Sequence, residues 1–280
     1  MKFQADKDIK LANLLLEGIG CSMTKIKKKI SQDDIFIDGV LSTEPNPIVP
    51  KGSLVELRKT KRIQGENIEI LFEDKDLIAV SKPIGILTNH SLRKNEETLL
   101  DKVNKYLKSK PKHMDRAFVV HRLDQVVSGV IIFAKSKKVE SILQENWYDF
   151  NKTYHAVVEG CPKAKSSTIE SWLSEDKNYK VHSGKERPNS KHAITHYNVE
   201  KKFRHFSLLS VRLGTGRKNQ IRVHLSDIGC PIVGDAKYGA TARNLNRIGL
   251  HAHTMELTHP STGKKLVLTA PTPSSFYRLG

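Results

Sequence analysis

The feature that most constrains the fold is a polar loop between two apolar runs in residues 119–134. Phe118–Val120 and Val130–Ala134 are rich in β-branched side chains, which is typical of strands buried in a sheet. The polar side chains between these runs are His121, Arg122, Asp124 and Ser128. A carboxylate in such a bend lies at the mouth of a rigid scaffold, where catalytic groups commonly sit. An aspartate in a loop can equally do no more than cap local amides, so the rest of the chain must decide.

The charge balance points to a polyanionic partner. Lys and Arg number 47 against 30 Asp and Glu, a formal net charge of +17. Such an excess favours nucleic acid first and an anionic membrane second, with general solubility as the alternative. Between Glu200 and Asp227 there are seven Lys or Arg residues and no acid. That run is what a phosphate-binding groove requires, although a solvated surface would look the same.

The length and the cysteines narrow the class of protein. A chain of 280 residues can form one large domain and one small domain. No apolar run approaches the roughly eighteen residues that span a bilayer, and the N-terminus lacks the apolar core of a signal peptide. Cys21, Cys161 and Cys230 match neither a disulfide framework nor a zinc-ligand spacing. We therefore expect a cytoplasmic protein, and we take a monomer as the default.

The first 62 residues predict a small domain with a basic helix. Leu11, Leu14 and Leu15 share one helical face, which Gly18 and Gly20 are expected to end. Ile26 and Ile30 are four residues apart and predict the buried stripe of a second helix. The exposed faces of that helix then carry Lys25, Lys27, Lys28 and Lys29.

A hairpin follows at Asp38-Gly39, which is a strong turn signal. This order of helix, basic helix and hairpin resembles the small RNA-binding domain named after ribosomal protein S-four. Over residues 1–62, Lys and Arg outnumber Asp and Glu by 12 to 8, which permits phosphate contacts. The resemblance predicts an α/β RNA-binding domain at 1–62, with a linker near 58–65.

Residues 63–280 predict many strands and few helices, which favours a mixed α+β domain on a largely antiparallel sheet with flanking helices. Thr98 and Asp101 are spaced as a capping box before a helix that carries Leu99, Val103 and Leu107. Residues 162–192 are polar and predict either an irregular excursion or a hairpin.

Several motifs in order identify a family resemblance. His121-Arg122-Leu123-Asp124 with Ser128-Gly129 closely resembles the signature loop of RluA-type RNA pseudouridine synthases. The further matches, which extend the similarity to about residues 68–275, are Lys82-Pro83-x-Gly85, Lys152-x-Tyr154, Gly216-Arg217-x-x-Gln220-Ile221-Arg222-Val223-His224, Gly229-x-Pro231-Ile232-Val233-Gly234-Asp235, Leu250-His251-Ala252 and His259-Pro260. Two positions depart from the family pattern: Val127 replaces the usual Thr, and Asn219 replaces the usual His.

The resemblance implies an RNA-uridine isomerase that uses no cofactor and no metal. Breaking the bond from uracil nitrogen to the anomeric carbon builds positive charge on the sugar, which an ionised carboxylate stabilises by attack or by electrostatics. The leaving base stays bound, so the second carboxylic acid of a glycosidase is not needed. Asp124 is the expected catalyst, although sequence does not decide whether it attacks the sugar or removes a proton.

The resemblance also suggests partners for Asp124. Arg222 would pair with the carboxylate, and Tyr154 would lie against uracil or accept a proton late in the reaction. Arg122 would fill the space left by the flipped base, since a guanidinium stacks on bases. Arg217 and Lys218 would bind RNA, and His121 would order the loop. The bland alternatives are a phosphate contact for Arg222 and core packing for Tyr154.

Other functions receive less support from the sequence. A non-catalytic RNA-binding protein of ribosome assembly is the main alternative, but it has no need of a pocket carboxylate. The kinase glycine-rich loop is missing, Gly214-Thr215-Gly216 lacks the third glycine of a dinucleotide loop, and the histidines show no metal-ligand spacing. The domain resembling the S-four module favours ribosomal over transfer RNA as the substrate.

Overall fold

The computed structural model describes residues 1–26, 33–38, 40–42, 46–59, 61–90, 96–110, 116–242 and 244–279. The chain divides into two compact units, Met1–Arg62 and Ile63–Gly280. In the part of the chain so described, no helix is long and apolar enough to cross a membrane.

The first unit is a small α/β fold. Its fully described elements are the helix α1 (Leu11–Ile19) and the short strands β1 (Lys2–Gln4), β2 (Ile9–Lys10), β3 (Asp33–Ile37), β4 (Val40–Leu41), β5 (Ile48–Val49), β6 (Leu54–Lys59) and β7 (Lys61–Arg62). Strands β1, β6, β3 and β4 are neighbours in one sheet, and β2 pairs with β5. The predicted apolar face of α1 is buried in the core of this unit.

The end of α1 corrects one expectation. Gly18 does not end the helix, which continues to Ile19 and ends at Gly20 in the left-handed conformation. A Cβ at position 18 would come within 2.4 Å of the Phe3 ring, so packing of that ring explains this glycine.

The predicted basic helix is described only at its start. Residues 23–26 are helical, Ile26 is buried and Lys25 is exposed. The remaining residues of the predicted helix, and one residue of the predicted hairpin, lie outside the described residues: Lys27, Lys28, Lys29, Ile30 and Gly39.

The second unit contains three α-helices and eleven strands among its described residues. The helices are α2 (Leu99–Lys108), α3 (Lys137–Glu145) and α4 (Gln220–Asp227). The strands are β8 (Glu69–Glu73), β9 (Leu77–Lys82), β10 (Phe118–Val119), β11 (Ser128–Ala134), β12 (Asn151–Glu159), β13 (Ser166–Glu175), β14 (Val181–Gly184), β15 (Lys191–Lys202), β16 (Phe206–Leu213), β17 (Leu250–Thr258) and β18 (Lys265–Thr269).

These strands form one large sheet in the order β14-β13-β15-β16-β12-β17-β11-β9-β8, with β10 beside β11 and β18 beside β17. Every described pairing within this unit is antiparallel except that of β11 with β17. The predicted α+β class with a largely antiparallel sheet is therefore confirmed.

Strand β11 is buried on both faces because a helix covers each side of the sheet. Ile131 and Phe133 pack with α2, while Val130 and Ile132 pack with α3. The predicted capping box of Thr98 begins α2. The central strand thus holds the polar loop that precedes it on a rigid support.

Gly129 allows β11 to pair in parallel with β17 at the start of β11. Gly129 has a φ of +120°, and a Cβ there would lie 2.1 Å from the carbonyl oxygen of Ala252 on β17. Only glycine lets the two strands approach so closely.

The polar segment 162–192 is a hairpin rather than an irregular excursion. Strands β13 and β14 pair in register from Trp172 opposite Gly184 to Glu175 opposite Val181. Most side chains of β13 are at least partly exposed, so the segment lacks the apolar alternation from which a strand is predicted.

Candidate active site

The polar loop 121–128 is anchored by His121. The imidazole stacks on Trp147 with ring centroids 4.6 Å apart, and its Nε2 accepts a hydrogen bond of 3.1 Å from the Ile132 amide. Burial, reinforced by the positive charge of Lys152, lowers the pKa of His121 to about 3. A neutral ring whose Nε2 already accepts a backbone bond orders the loop, and this nitrogen is not free to act as a base.

Asp124 is presented to solvent by a tight turn. The Val127 amide donates to the Asp124 carbonyl at 3.0 Å, and the Asp124 side chain is 34% exposed. One carboxylate oxygen, Oδ2, accepts from Arg222 Nη1 at 2.9 Å. Within the described parts of the chain, no other side chain or amide donates to this carboxylate. Its second oxygen is therefore available to a substrate.

Arg222 is a buried cation held by a second carboxylate. Its Nε and Nη2 donate to the two oxygens of Asp235 at 2.6 and 2.8 Å. The Arg222 side chain is 9% exposed and that of Asp235 is 1% exposed. Burial opposes the charge on Arg222, but the bonds from Asp235 and Asp124 outweigh it and raise the pKa of the guanidinium. This two-pronged contact leaves Nη1 to face Asp124.

Asn219 adds a further contact to the same guanidinium. Its Oδ1 accepts from Arg222 Nη1 at 3.2 Å, and its Nδ2 donates to the Tyr238 hydroxyl at 2.9 Å. The Tyr238 ring lies 5.0 Å from the guanidinium carbon of Arg222. Asn219 has a φ of +54°, a left-handed conformation that asparagine tolerates better than most residues. This departure from the family pattern therefore bears on the position of Arg222.

Tyr154 lies on β12 opposite Ala252 and packs against the apolar cluster that contains Leu123. Burial and the negative charge of Asp124 both raise the pKa of this phenol. Tyr154 is thus close enough to Asp124 to sense its charge, and it keeps its proton at neutral pH.

A buried lysine, Lys82, lies close enough to Asp124 to interact with its charge. Lys82 is 1% exposed, and its ammonium donates to the carbonyls of Pro83, Ile86 and Gln125 at 3.0, 3.0 and 3.3 Å. Burial lowers the pKa of Lys82 to about 7 against the attraction of Asp124. The lysine ties the Pro83–Ile86 loop to the loop that carries Asp124.

Sequence reasoning gave no role to Asp235, Asn219 or Lys82, although all three stand in the motifs or departures named above. One signal pointed to Asp235, since an aspartate that follows the run Pro231-Ile232-Val233 is placed to be buried, and buried acids are paired. No comparable signal marked Asn219 or Lys82.

The RNA-binding candidates of the second unit differ in how far the protein itself engages them. Arg122 is exposed beside Asp124. Arg217 donates from Nε to the His192 carbonyl at 3.0 Å, and Lys218 forms an ion pair with Glu175. Arg217 and Lys218 are therefore partly engaged by the protein itself.

Two other features of this unit, a cavity and a cluster of acidic and histidine side chains, lie apart from Asp124 in the sequence or its bonding. A cavity of about 510 Å³ is lined by residues that include Glu66, Glu97 and Lys102, but none of Asp124, Tyr154 or Arg222 lines it. Asp74, Asp76 and His259 have ligand atoms close enough to hold a metal ion. However, Asp74 already accepts from His259 and from two backbone amides, so its oxygens are occupied.

One oxygen of the Asp124 carboxylate is held by a guanidinium that Asp235 binds through two nitrogens. An ionised carboxylate in such a position can stabilise positive charge that develops nearby. Residues 76–227 match the family described as RNA pseudouridylate synthase, and the chain belongs to this family. The predicted family and the predicted enzyme class, an isomerase, are confirmed.

The similar proteins agree with this membership. The chain is 32% identical to the uncharacterized RNA pseudouridine synthase YhcT of Bacillus subtilis, over 88% of this chain and 78% of that protein. It is 30% identical to ribosomal large subunit pseudouridine synthase D of Escherichia coli O157:H7, over 92% of this chain and 85% of the relative. Among solved structures, the human RNA pseudouridylate synthase domain containing 4 matches with a TM-score of 0.64 and 25% identity, covering 75% of this chain and 92% of the other.

Proposed function

We propose that this enzyme converts specific uridines of structured ribosomal RNA to pseudouridine, with Asp124 as its catalytic carboxylate. The observation that carries the proposal is the Asp124 carboxylate, which has one oxygen held by Arg222 at 2.9 Å and the other open to solvent. The open oxygen is placed to meet a ribose that acquires positive charge as its bond to uracil breaks.

Arg222 keeps the carboxylate oriented during that step. Asp235 binds Nε and Nη2 of the guanidinium, so only Nη1 is left to bond Asp124. Arg222 therefore cannot turn to form a second bond with the Asp124 carboxylate. The carboxylate is therefore positioned without being fully engaged.

Tyr154 supports the base through its ring. Its raised pKa disfavours the phenolate, so a role as a strong proton acceptor is disfavoured as well. We propose that the ring lies against uracil while the base turns, so Tyr154→Phe should retain most of the binding energy.

Ribosomal RNA is favoured over transfer RNA by two observations. Several relatives bear the name ribosomal large subunit pseudouridine synthase D. Residues 1–62 form a separate unit, which we propose is an RNA-binding domain resembling the S-four module, with Lys25 exposed on it. We further propose that the protein acts in the cytoplasm as a monomer, with no cofactor.

Pseudouridine mapping tests the proposal. Total RNA from cells with and without this protein should differ at one or a few ribosomal uridines, and the purified protein should restore the modification in vitro. A difference confined to transfer RNA would contradict the ribosomal preference. Product formed equally by Asp124→Ala would contradict the catalytic assignment, and RNA binding without product from the wild-type protein would point to a non-catalytic binder.

A further inference from the structure

Two loops beside Asp124 are clasped together. The Gly85 amide donates to the Gln125 carbonyl at 2.8 Å, and the Gln125 side-chain amide donates back to the Gly85 carbonyl at 2.8 Å. The buried Lys82 ammonium donates to one carbonyl of each loop, that of Pro83 and that of Gln125. Gly85 has a φ of +86°, which glycine adopts without strain. The clasp therefore gives the loop after β9 and the catalytic loop a common, rigid edge.

Each loop exposes one aliphatic side chain directly beside the clasp. Ile84, next to Gly85, is 41% exposed, and Val126, next to Gln125, is 37% exposed. Val126 is also two residues from Asp124. We name Ile84 and Val126 together the apolar rim.

The charges around the rim favour an uncharged occupant. On one side, Ile84 lines the cavity in which Lys102 is ion-paired with both Glu66 and Glu97, so this lysine is already engaged and does not offer its charge to a phosphate. On the other side lies the Asp124 carboxylate. An RNA strand that enters here would therefore present its bases rather than its phosphates to the rim.

The apolar rim by itself is too small to hold a protein partner. A stable protein interface buries about 800 Å² on each side, far more than two aliphatic side chains can provide. A nucleobase has a flat apolar face of suitable size, and aliphatic wedges are known to lie against or between bases of distorted nucleic acids.

We infer that the apolar rim contacts the face of the base adjacent to the target uridine and stabilises the unstacked strand while the uridine occupies the site. A uridine in folded RNA must leave its stack before a pocket can hold it, and its neighbour then loses a stacking partner. The rim replaces that partner. The inference rests on the proposed function, because it assumes that uridine enters at Asp124.

Binding to a twelve-nucleotide oligouridine tests the rim without knowledge of the natural target. The variants are Ile84→Ala/Val126→Ala, a second pair Ile84→Thr/Val126→Thr, and the control Val267→Ala, whose side chain is 51% exposed on β18. Circular dichroism and Tm establish that each variant folds. We expect both rim variants to raise Kd about fivefold or more at every salt concentration, and Val267→Ala to leave it unchanged.

The salt dependence separates an apolar contact from a charged one. Because no phosphate contact is lost, the slope of log Kd against log salt should be the same for the rim variants and the wild type. Arg122→Ala serves as the charged comparison and should make the slope shallower. Equal Kd for the rim variants and wild type, or a slope reduced together with affinity, would overturn the inference.

Turnover supplies the second readout. With the mapped uridine placed in a hairpin or in an unpaired strand, the rim variants should lose at least threefold more kcat/KM on the hairpin, since only that substrate must unstack. Equal losses on the two substrates would overturn the inference. If the wild-type protein forms no pseudouridine, the proposed function fails. The Kd values for oligouridine then show by themselves whether the apolar rim contacts bases.

Discussion

Asp124 and Asp74 are two aspartates of similar exposure in very different bonding environments. Their side chains are 34% and 30% exposed. Asp124 accepts one bond, from Arg222 at 2.9 Å. Asp74 accepts three, from the amides of Asp76 and Leu77 at 2.8 and 2.9 Å and from His259 at 2.6 Å.

The comparison extends to the basic partner of each carboxylate. His259 is kept in place by the amides of Ser261 and Thr262, which donate to its Nδ1, so its Nε2 proton points to Asp74. Burial opposes ionisation of Asp74, but the bonds from Leu77, Asp76 and His259 outweigh it and lower its pKa overall. Asp74 closes a turn, and both of its carboxylate oxygens already accept hydrogen bonds.

Exposure therefore does not decide which carboxylate is available for chemistry. The number of donors already bound to it does. One oxygen of Asp124 is left open because two nitrogens of Arg222 are already hydrogen-bonded to Asp235.

The matched variants Asp124→Ala and Asp74→Ala test this difference most strongly. We expect Asp124→Ala to lower kcat by about 10³-fold or more, because the catalytic carboxylate is lost. Asp74→Ala should keep kcat within about twofold but lower Tm by several degrees, because it strands two amides and His259, at about 1–3 kcal/mol. Single-turnover assays and thermal melts measure both. Similar kcat values for the two variants would break the comparison.

The second prediction concerns the anchor of Arg222. Asp235→Asn removes the charge that balances a buried guanidinium, which should destabilise the protein by about 3–5 kcal/mol. The remaining folded enzyme should show a kcat about 10–100-fold lower, since Arg222 no longer holds Asp124 in one orientation. Denaturant unfolding gives the stability and single-turnover rates give kcat. An unchanged rate would mean that Asp235 has no part in positioning Arg222.

The pH dependence of stability tests the protonation state of Lys82, the buried lysine that interacts with Asp124. The folded-state pKa of Lys82 is lowered to about 7 from 10.5, so above pH 7 the unfolded chain binds a proton that the folded chain does not. Wild-type stability relative to Lys82→Met should therefore rise from pH 7 to pH 9, by at most about 1.4 kcal/mol per pH unit. Urea unfolding at several pH values measures this. A difference that is flat or falls with pH would show that Lys82 keeps its proton.

The smallest effect is expected at Asn219. Asn219→Gly removes the bonds to Arg222 and Tyr238 but accepts a φ of +54° readily, whereas Asn219→Ala also carries the backbone strain of about 1 kcal/mol. Both variants should lower kcat by the same few-fold factor, and Asn219→Ala should be the less stable. If only the alanine variant lost activity, backbone conformation rather than the side chain would account for the effect.

The sequence predicted the scaffold of the site better than its internal bonding. The apolar run of β11 and the capping box at Thr98 each follow from a local sequence pattern. The resemblance to the family supplied Asp124, Tyr154 and Arg222. Local patterns could predict these features because each depends on neighbours within a few residues.

The remaining features depend on contacts between distant parts of the chain. Asp235 and Arg222 are thirteen positions apart in the sequence, and Lys82 and Gln125 are 43 positions apart. Gly18 faces Phe3 inside a continuing helix, where its local pattern predicted an end. In each case tertiary packing decides the role of a residue whose local pattern is ambiguous.

The most direct test of the central claim is a crystal structure of Asp124→Asn bound to RNA that contains the mapped uridine. If Asp124 is the catalyst, we expect a flipped uridine whose ribose lies about 3–3.5 Å from the side chain at position 124, with the uracil against the Tyr154 ring. A uridine bound in this unit with its ribose more than roughly twice that distance away would contradict catalysis by Asp124.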